Sequence, residues 1–103
     1  MIPFHRLAAT IVARRGSDPA SSYTAALLAR GPAKVAEKFG EEAVELVIAA
    51  VSQGPDAVRA EAADVLYHLL VLLAARDVAL DDVLAELERR EGVSGHEEKA
   101  ARS

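Results

Sequence analysis

The chain has no cysteine and no tryptophan. Without a thiol, disulfide scaffolds, thiolate zinc sites and cysteine nucleophiles are all excluded. Aromatic residues make up 4%, two Tyr and two Phe, too few for a platform on which bases stack. Basic residues are also short: 12 Lys and Arg face 16 Asp and Glu, for a net charge of −4. A basic face for nucleic acid is therefore not expected. No hydrophobic run approaches the roughly 20 residues that cross a bilayer. The most apolar stretch, residues 65–75, is short and carries His68. Residues 5–15 place arginines at both ends of an apolar stretch and weakly mimic a targeting segment. Their helical period marks them instead as a first amphipathic helix, and the expected location is the cytoplasm.

Hydrophobic residues at 51% and charged residues at 27% describe a chain that folds. With 103 residues, one domain is expected, all-α over residues 1–91, followed by a flexible C-terminal tail at 92–103. The period is helical throughout, and no stretch alternates like a strand. Pro3 opens a helix to about Arg14 with Phe4, Leu7, Ala8, Ile11 and Val12 on one stripe. After a turn-rich loop at 16–20, Ser21 or Ser22 caps a short helix that Gly31 stops. Pro32 begins a long helix to about Ser52, and Gly54-Pro55 breaks the chain before a second long helix ends near Arg76. Leu80 starts the last helix, to about Glu91, with Val83, Leu84 and Leu87 expected inward. The two long helices should pack as an antiparallel hairpin. In the second of them, Val65, Leu66, Tyr67, Leu69, Leu70, Val71, Leu72 and Leu73 cover the whole circumference. So small a chain cannot cover such a helix alone, which predicts a helical bundle completed by dimerisation, a homodimer.

The acids carry the chemistry. At about 100° per residue, Lys34, Glu37, Lys38, Glu41, Glu42 and Glu45 share an arc of roughly 140°, with Val35, Ala36, Phe39, Ala43, Leu46, Val47 and Ala50 opposite. An ordinary solvated face would place glutamates before lysines; here Lys34 and Lys38 occupy the first turns, where the helix dipole disfavours cations. An anionic ligand near the helix start accounts for the placement. The arc also runs into an apolar cylinder, so these like charges crowd at its edge. On the next helix Glu61 and Asp64 repeat the three-residue spacing of Glu42 and Glu45. In a hairpin the two acidic pairs can face each other, forming an all-oxygen cage suited to a hard divalent cation, Mg²⁺ above all. His68, one turn after Asp64, either contacts a ligand, orients that acid or is a satisfied core histidine. Tyr67 fits core packing with its hydroxyl at an edge.

The spacing E-x-x-E (Glu42, Glu45), fifteen residues, then E-x-x-D (Glu61, Asp64) resembles the all-α nucleoside triphosphate pyrophosphatase superfamily. Within it, SYTAALLARG (22–31), KVAEKFGEEAVE (34–45) and EAADVLYHLLVLL (61–73) resemble the phosphoribosyl-ATP pyrophosphatases, the enzymes of the second step of histidine biosynthesis. The resemblance implies an all-α dimer that uses Mg²⁺ and water to cleave phosphoribosyl-ATP to phosphoribosyl-AMP and pyrophosphate. It implies metal binding by Glu42, Glu45, Glu61 and Asp64, with Glu41 the adjacent acid. Glu41, then Glu45, is the expected general base. Lys34 and Lys38 match basic positions suited to phosphates, and Ser22, Tyr23 and Thr24 match a segment shaping the substrate pocket. Asp77 and Ala79 depart from the family's usual glycine and Ser/Thr cap, which bears on stability. Two rival readings are a house-cleaning nucleoside triphosphate pyrophosphatase of the same superfamily and a non-enzymatic helical dimerisation module.

Overall fold

The computed structural model describes residues 3–91; the expected tail at 92–103 lies outside them. Five α-helices and one 3₁₀ turn form, with no strand among the described residues: α1 (Pro3–Ala13), the 3₁₀ turn (Pro19–Ser21), α2 (Tyr23–Ala29), α3 (Pro32–Ser52), α4 (Pro55–Ala75) and α5 (Leu80–Arg90). Among these residues no helix is long and apolar enough to cross a membrane.

The boundaries follow local chemistry. Ser22 caps α2, its hydroxyl accepting from the Ala25 N–H at 3.0 Å. Ser21 does not cap it; its hydroxyl donates to the Asp18 carbonyl. Gly31, at φ 92, makes the left-handed step between α2 and α3, and Pro32 occupies the first turn where no N–H is needed. Asp77 ends α4 at φ 56. The Val78 N–H donates to the Leu73 carbonyl (2.9 Å) and the Asp77 N–H to that of Ala74 (3.2 Å), a Schellman closure built without glycine. Arg15 holds the turn from outside, donating to the Asp77 carboxylate at 3.0 Å and the Ala74 carbonyl at 3.3 Å. Ala79 supplies no capping hydrogen bond to α5; Asp81 and Asp82 occupy its first turn, where the dipole favours acids.

The two long helices pack along their length, α1 lies across α4, and α2 wedges between α3 and α4 at one end. Ile11, Leu27, Val35, Leu70, Val71 and Ala74 form the core, with Phe4, Ala8, Leu28, Tyr67 and Leu80 among the partly buried residues around it. This core occupies the end of the hairpin where α3 starts and α4 finishes. The opposite end, where α3 finishes and α4 starts, receives neither α1 nor α2 in this core.

Two expectations about faces are corrected. On α3 the buried residues are Val35, Glu42 and Ala49, seven apart, while Ala36, Val47 and Ala50 are exposed. An acid thus sits on the inward face and apolar residues look outward, because the facing turns of α4 present Glu61 and His68. On α5 no residue is buried, and Leu87 is 57% exposed. The turn at Asp77 directs α5 away from the hairpin after Leu80, so Val83 and Leu84 are only half-buried. Its charged side is tied locally: Arg89 and Arg90 pair with Glu86 at 2.6 and 3.1 Å and hold its carboxyl down to about 2.

Candidate metal and catalytic site

Both arms of the hairpin contribute to one acidic cluster. Glu42 and Glu45 lie one turn apart on α3, and Glu61 faces them from α4. Each offers a carboxylate oxygen within 4.8 Å of the others. Glu42 is 8% exposed, Glu61 is half-buried and Glu45 is exposed. Like charges this close repel unless a proton or a cation intervenes.

The cluster's electrostatics show that strain. Burial pushes the Glu42 carboxyl up, but hydrogen bonds from Glu45 and from Lys38, with the Lys38 charge, outweigh it and hold the group below its ordinary value. Glu45 is held above its own, first by its hydrogen bond to Glu42, then by the Glu42 charge, burial and Glu61. The two carboxyls are thus driven apart, Glu42 ionising the more readily of the pair. Lys38 lies 3.3 Å from Glu42 and 3.7 Å from Glu41, and the bond to Glu42, with its charge, raises the ammonium pKa. Glu61 has no such relief: its Oε2 is buried with no hydrogen-bond partner. Oxygen-only donors from two helices, one of them buried and orphaned, fit a hard divalent cation such as Mg²⁺.

The other sequence-predicted residues divide. Asp64 is exposed and outside the close triad; its carbonyl, 2.8 Å from His68 Nδ1, is its visible link to the site. His68 is 5% exposed, and its Nε2 has no hydrogen-bond partner. Lys34 pairs with Glu37 at 3.2 Å. In this pair, as in the Lys38 pairs, lysine precedes glutamate, the weaker order on a helix. Thr24 is hydrogen-bonded through its hydroxyl to that of Tyr67. Tyr23, 59% exposed, stacks on Tyr67 with ring centroids 6.5 Å apart, and lies within electrostatic reach of Lys38.

Two residues were not foreseen in these roles. Arg30 joins Lys34, Glu37, Lys38 and Glu41 around a shallow polar groove of about 50 Å³ beside the cluster. Its signal in the sequence was its position four before Lys34, hidden because a helix break falls between them. Tyr67 ties α2 to α4; pairing it with Thr24, 43 residues away, needs the tertiary fold.

A helical hairpin whose two arms bring acids together at one level, beside a polar groove carrying Arg30, Lys34 and Lys38, is the arrangement expected of an all-α nucleotide pyrophosphatase. Comparison narrows the class: the phosphoribosyl-ATP pyrophosphohydrolase family profile matches residues 4–91, and the chain belongs to that family. It is 70% identical over 97 residues to a phosphoribosyl-ATP pyrophosphatase of Dinoroseobacter shibae, covering 94% of this chain and 95% of that protein. It is 65% identical over 102 residues to that of Jannaschia sp., covering 99% and 100%. The protein of that name from Cereibacter sphaeroides is 67% identical over 102 residues, covering 99% of each chain.

Proposed function

We propose that this chain hydrolyses phosphoribosyl-ATP to phosphoribosyl-AMP and pyrophosphate, the second step of histidine biosynthesis, with Mg²⁺. The observation that carries the reading is the Glu42–Glu45–Glu61 cluster with its buried, unpartnered Glu61 oxygen, in a chain 70% identical to a protein of that name. Glu42, Glu45 and Glu61 hold the cation, and Asp64 joins them from the exposed rim one turn beyond Glu61. When bound, Mg²⁺ neutralises phosphate charge and lowers the pKa of water.

The chain's own residues supply the rest. Lys34, Lys38 and Arg30 line the groove beside the cluster and hold the triphosphate, stabilising the charge of the departing pyrophosphate. Glu41 lies outside the triad, 3.7 Å from Lys38, and takes a proton from the attacking water; Glu45 is the second candidate. Tyr23 and Thr24, at the start of α2, border the same side of the site and shape the pocket for the nucleotide.

The working unit is a single domain over residues 1–91, in the cytoplasm, paired as a homodimer. Val44, Val47, Ile48 and Val51 form an apolar strip on α3 beside the cluster, and Leu66 adds to the exposed apolar surface from α4. A second copy covering that strip would also roof the acids.

The test is pyrophosphate release from phosphoribosyl-ATP, measured beside deoxynucleoside triphosphates. Phosphoribosyl-ATP should be strongly preferred. E42Q, E45Q, E61Q and D64N should each lose nearly all turnover with helical circular dichroism unchanged. Equal turnover of deoxynucleotides would favour a house-cleaning role, and full activity of any variant would remove that acid from the site.

A further inference from the structure

His68 is a deeply buried titratable side chain with one satisfied nitrogen and one orphan. Its Nδ1 lies 2.8 Å from the Asp64 carbonyl oxygen. A carbonyl can only accept, so Nδ1 carries the proton and donates. In the neutral ring Nε2 is then a bare lone pair, an acceptor. That atom is buried and meets no donor. A buried acceptor left unpaired costs about 1–3 kcal/mol, so a retained one calls for a partner that arrives later.

The ring cannot turn away to find one elsewhere. Tyr67 packs its ring edge-on against His68, with centroids 5.0 Å apart and planes at 89°. The Tyr67 hydroxyl is in turn hydrogen-bonded to Thr24 on α2. The imidazole is therefore held from two sides, by its own helix and by a tyrosine anchored to another.

His68 follows Glu61 by seven residues, so both stand on the same face of α4. Glu42, across the hairpin, lies within electrostatic reach of the imidazole. Among the described residues the two buried side-chain orphans are thus Glu61 Oε2 and, in the neutral ring an acceptor too, His68 Nε2. With the ring neutral and Glu61 ionised, they cannot satisfy each other. A cation satisfies the carboxylate, whereas a neutral imidazole nitrogen of this placement needs a hydrogen. His68 is not one of the close triad, and its Nδ1 is already engaged with the Asp64 carbonyl. Water carried into the cluster with Mg²⁺, a cation that keeps several of its waters, supplies that hydrogen.

We propose that His68 is a positioning residue: its Nε2 accepts a hydrogen bond from water held in the Glu42–Glu45–Glu61 cluster, with Asp64, Tyr67 and Thr24 locking the ring for that purpose. The inference rests on the proposed metal site. It assigns the Tyr67–Thr24 link a functional reason, the fixing of an acceptor that orders water beside the reacting phosphate.

The test is long-range ¹H–¹⁵N correlation spectroscopy of the whole chain, titrated with Mg²⁺ alone, alongside ¹³C spectra of the glutamate carboxyls. The three histidines, His5, His68 and His96, give few signals, and H68Q identifies those of His68. In chelator, Nε2 should resonate as an unprotonated nitrogen; with Mg²⁺ it should move upfield as it accepts a hydrogen bond, while Nδ1 stays protonated. In turnover assays H68F should weaken Mg²⁺ binding or lower kcat about 10- to 100-fold. H68Q, whose side-chain oxygen can reach the Nε2 position and accept, should recover most of the loss. Carboxyl signals that move while Nε2 stays still would overturn the inference and leave the metal site standing. Carboxyl signals that also stay still would overturn both. A protonated Nε2, or equal defects in H68Q and H68F, would reduce His68 to packing. Should H68F fail to fold, the wild-type spectra decide.

Discussion

Replacing Glu42 with leucine should make the metal-free protein more stable and the enzyme inactive. Glu42 is 8% exposed, between Val35 and Ala49 on the inward line of α3. A leucine of similar reach in that slot contributes about 1.5–3 kcal/mol of apolar burial. The substitution also removes a buried carboxylate and its repulsion with Glu45 and Glu61. Against this stands the lost Lys38 pair, which involves a lysine side chain about a third exposed and so offsets only a small part of the gain. The net gain is about 1–2 kcal/mol, and for a domain of this size each kcal/mol moves the Tm by about 4–8 °C. Thermal unfolding followed by circular dichroism in chelator should therefore show a rise of about 5–15 °C. Wild type should gain about 2.7 kcal/mol more with Mg²⁺ at a hundredfold over its Kd, and E42L should gain nothing. The isosteric E42Q should also lose the Mg²⁺ response without the full leucine gain. If E42L in chelator were less stable than wild type, Glu42 would be serving the fold rather than the site. A retained Mg²⁺ shift in E42L would refute its place in the cluster.

Two further outcomes follow from other parts of the fold. V47E, which adds a charge to the exposed apolar strip on α3, should shift the protein from dimer to monomer in sedimentation velocity while keeping its helical spectrum; burying a valine contributes about 1.5–3 kcal/mol, so the dimer Kd should rise at least about tenfold. A wild type that sediments as a 10.9 kDa monomer would overturn the dimer. The Glu86 carboxyl, held down to about 2 by Arg89 and Arg90, contributes stability that is present above the ordinary carboxylate value and lost as pH falls toward 2. E86Q should lower the Tm slightly at pH 7, with the deficit closing as acid is added; a deficit constant down to pH 2 would show that the pairs do no electrostatic work.

Much of this molecule was written in its helical punctuation. Pro32 and Pro55 begin the long helices, Ser22 caps the short one, and each resides where its chemistry alone would put it. Asp77 could be foreseen as a tolerable left-handed residue because its side chain is short and polar. The spacing of Glu42, Glu45 and Glu61 placed carboxylates on two helices that a short link must lay side by side. These are local properties, fixed within a few residues of chain.

The rotation of one helix against another is not local. The hydrophobic period of α3 allowed its acids to face water, yet Glu42 turned inward and Val44, Val47, Ile48 and Val51 turned out. Which face is buried depends on what α4 offers opposite, and α4, apolar almost all round, gives no directional signal of its own. The same long-range packing placed Asp64 on the rim, joined Thr24 to Tyr67, left α5 without a buried side chain and withheld a partner from His68 Nε2. Periodicity determines that a helix exists and how its residues are spaced; only contact between helices determines which of those residues lose their water, and with it which acids and which imidazole are left waiting for a ligand.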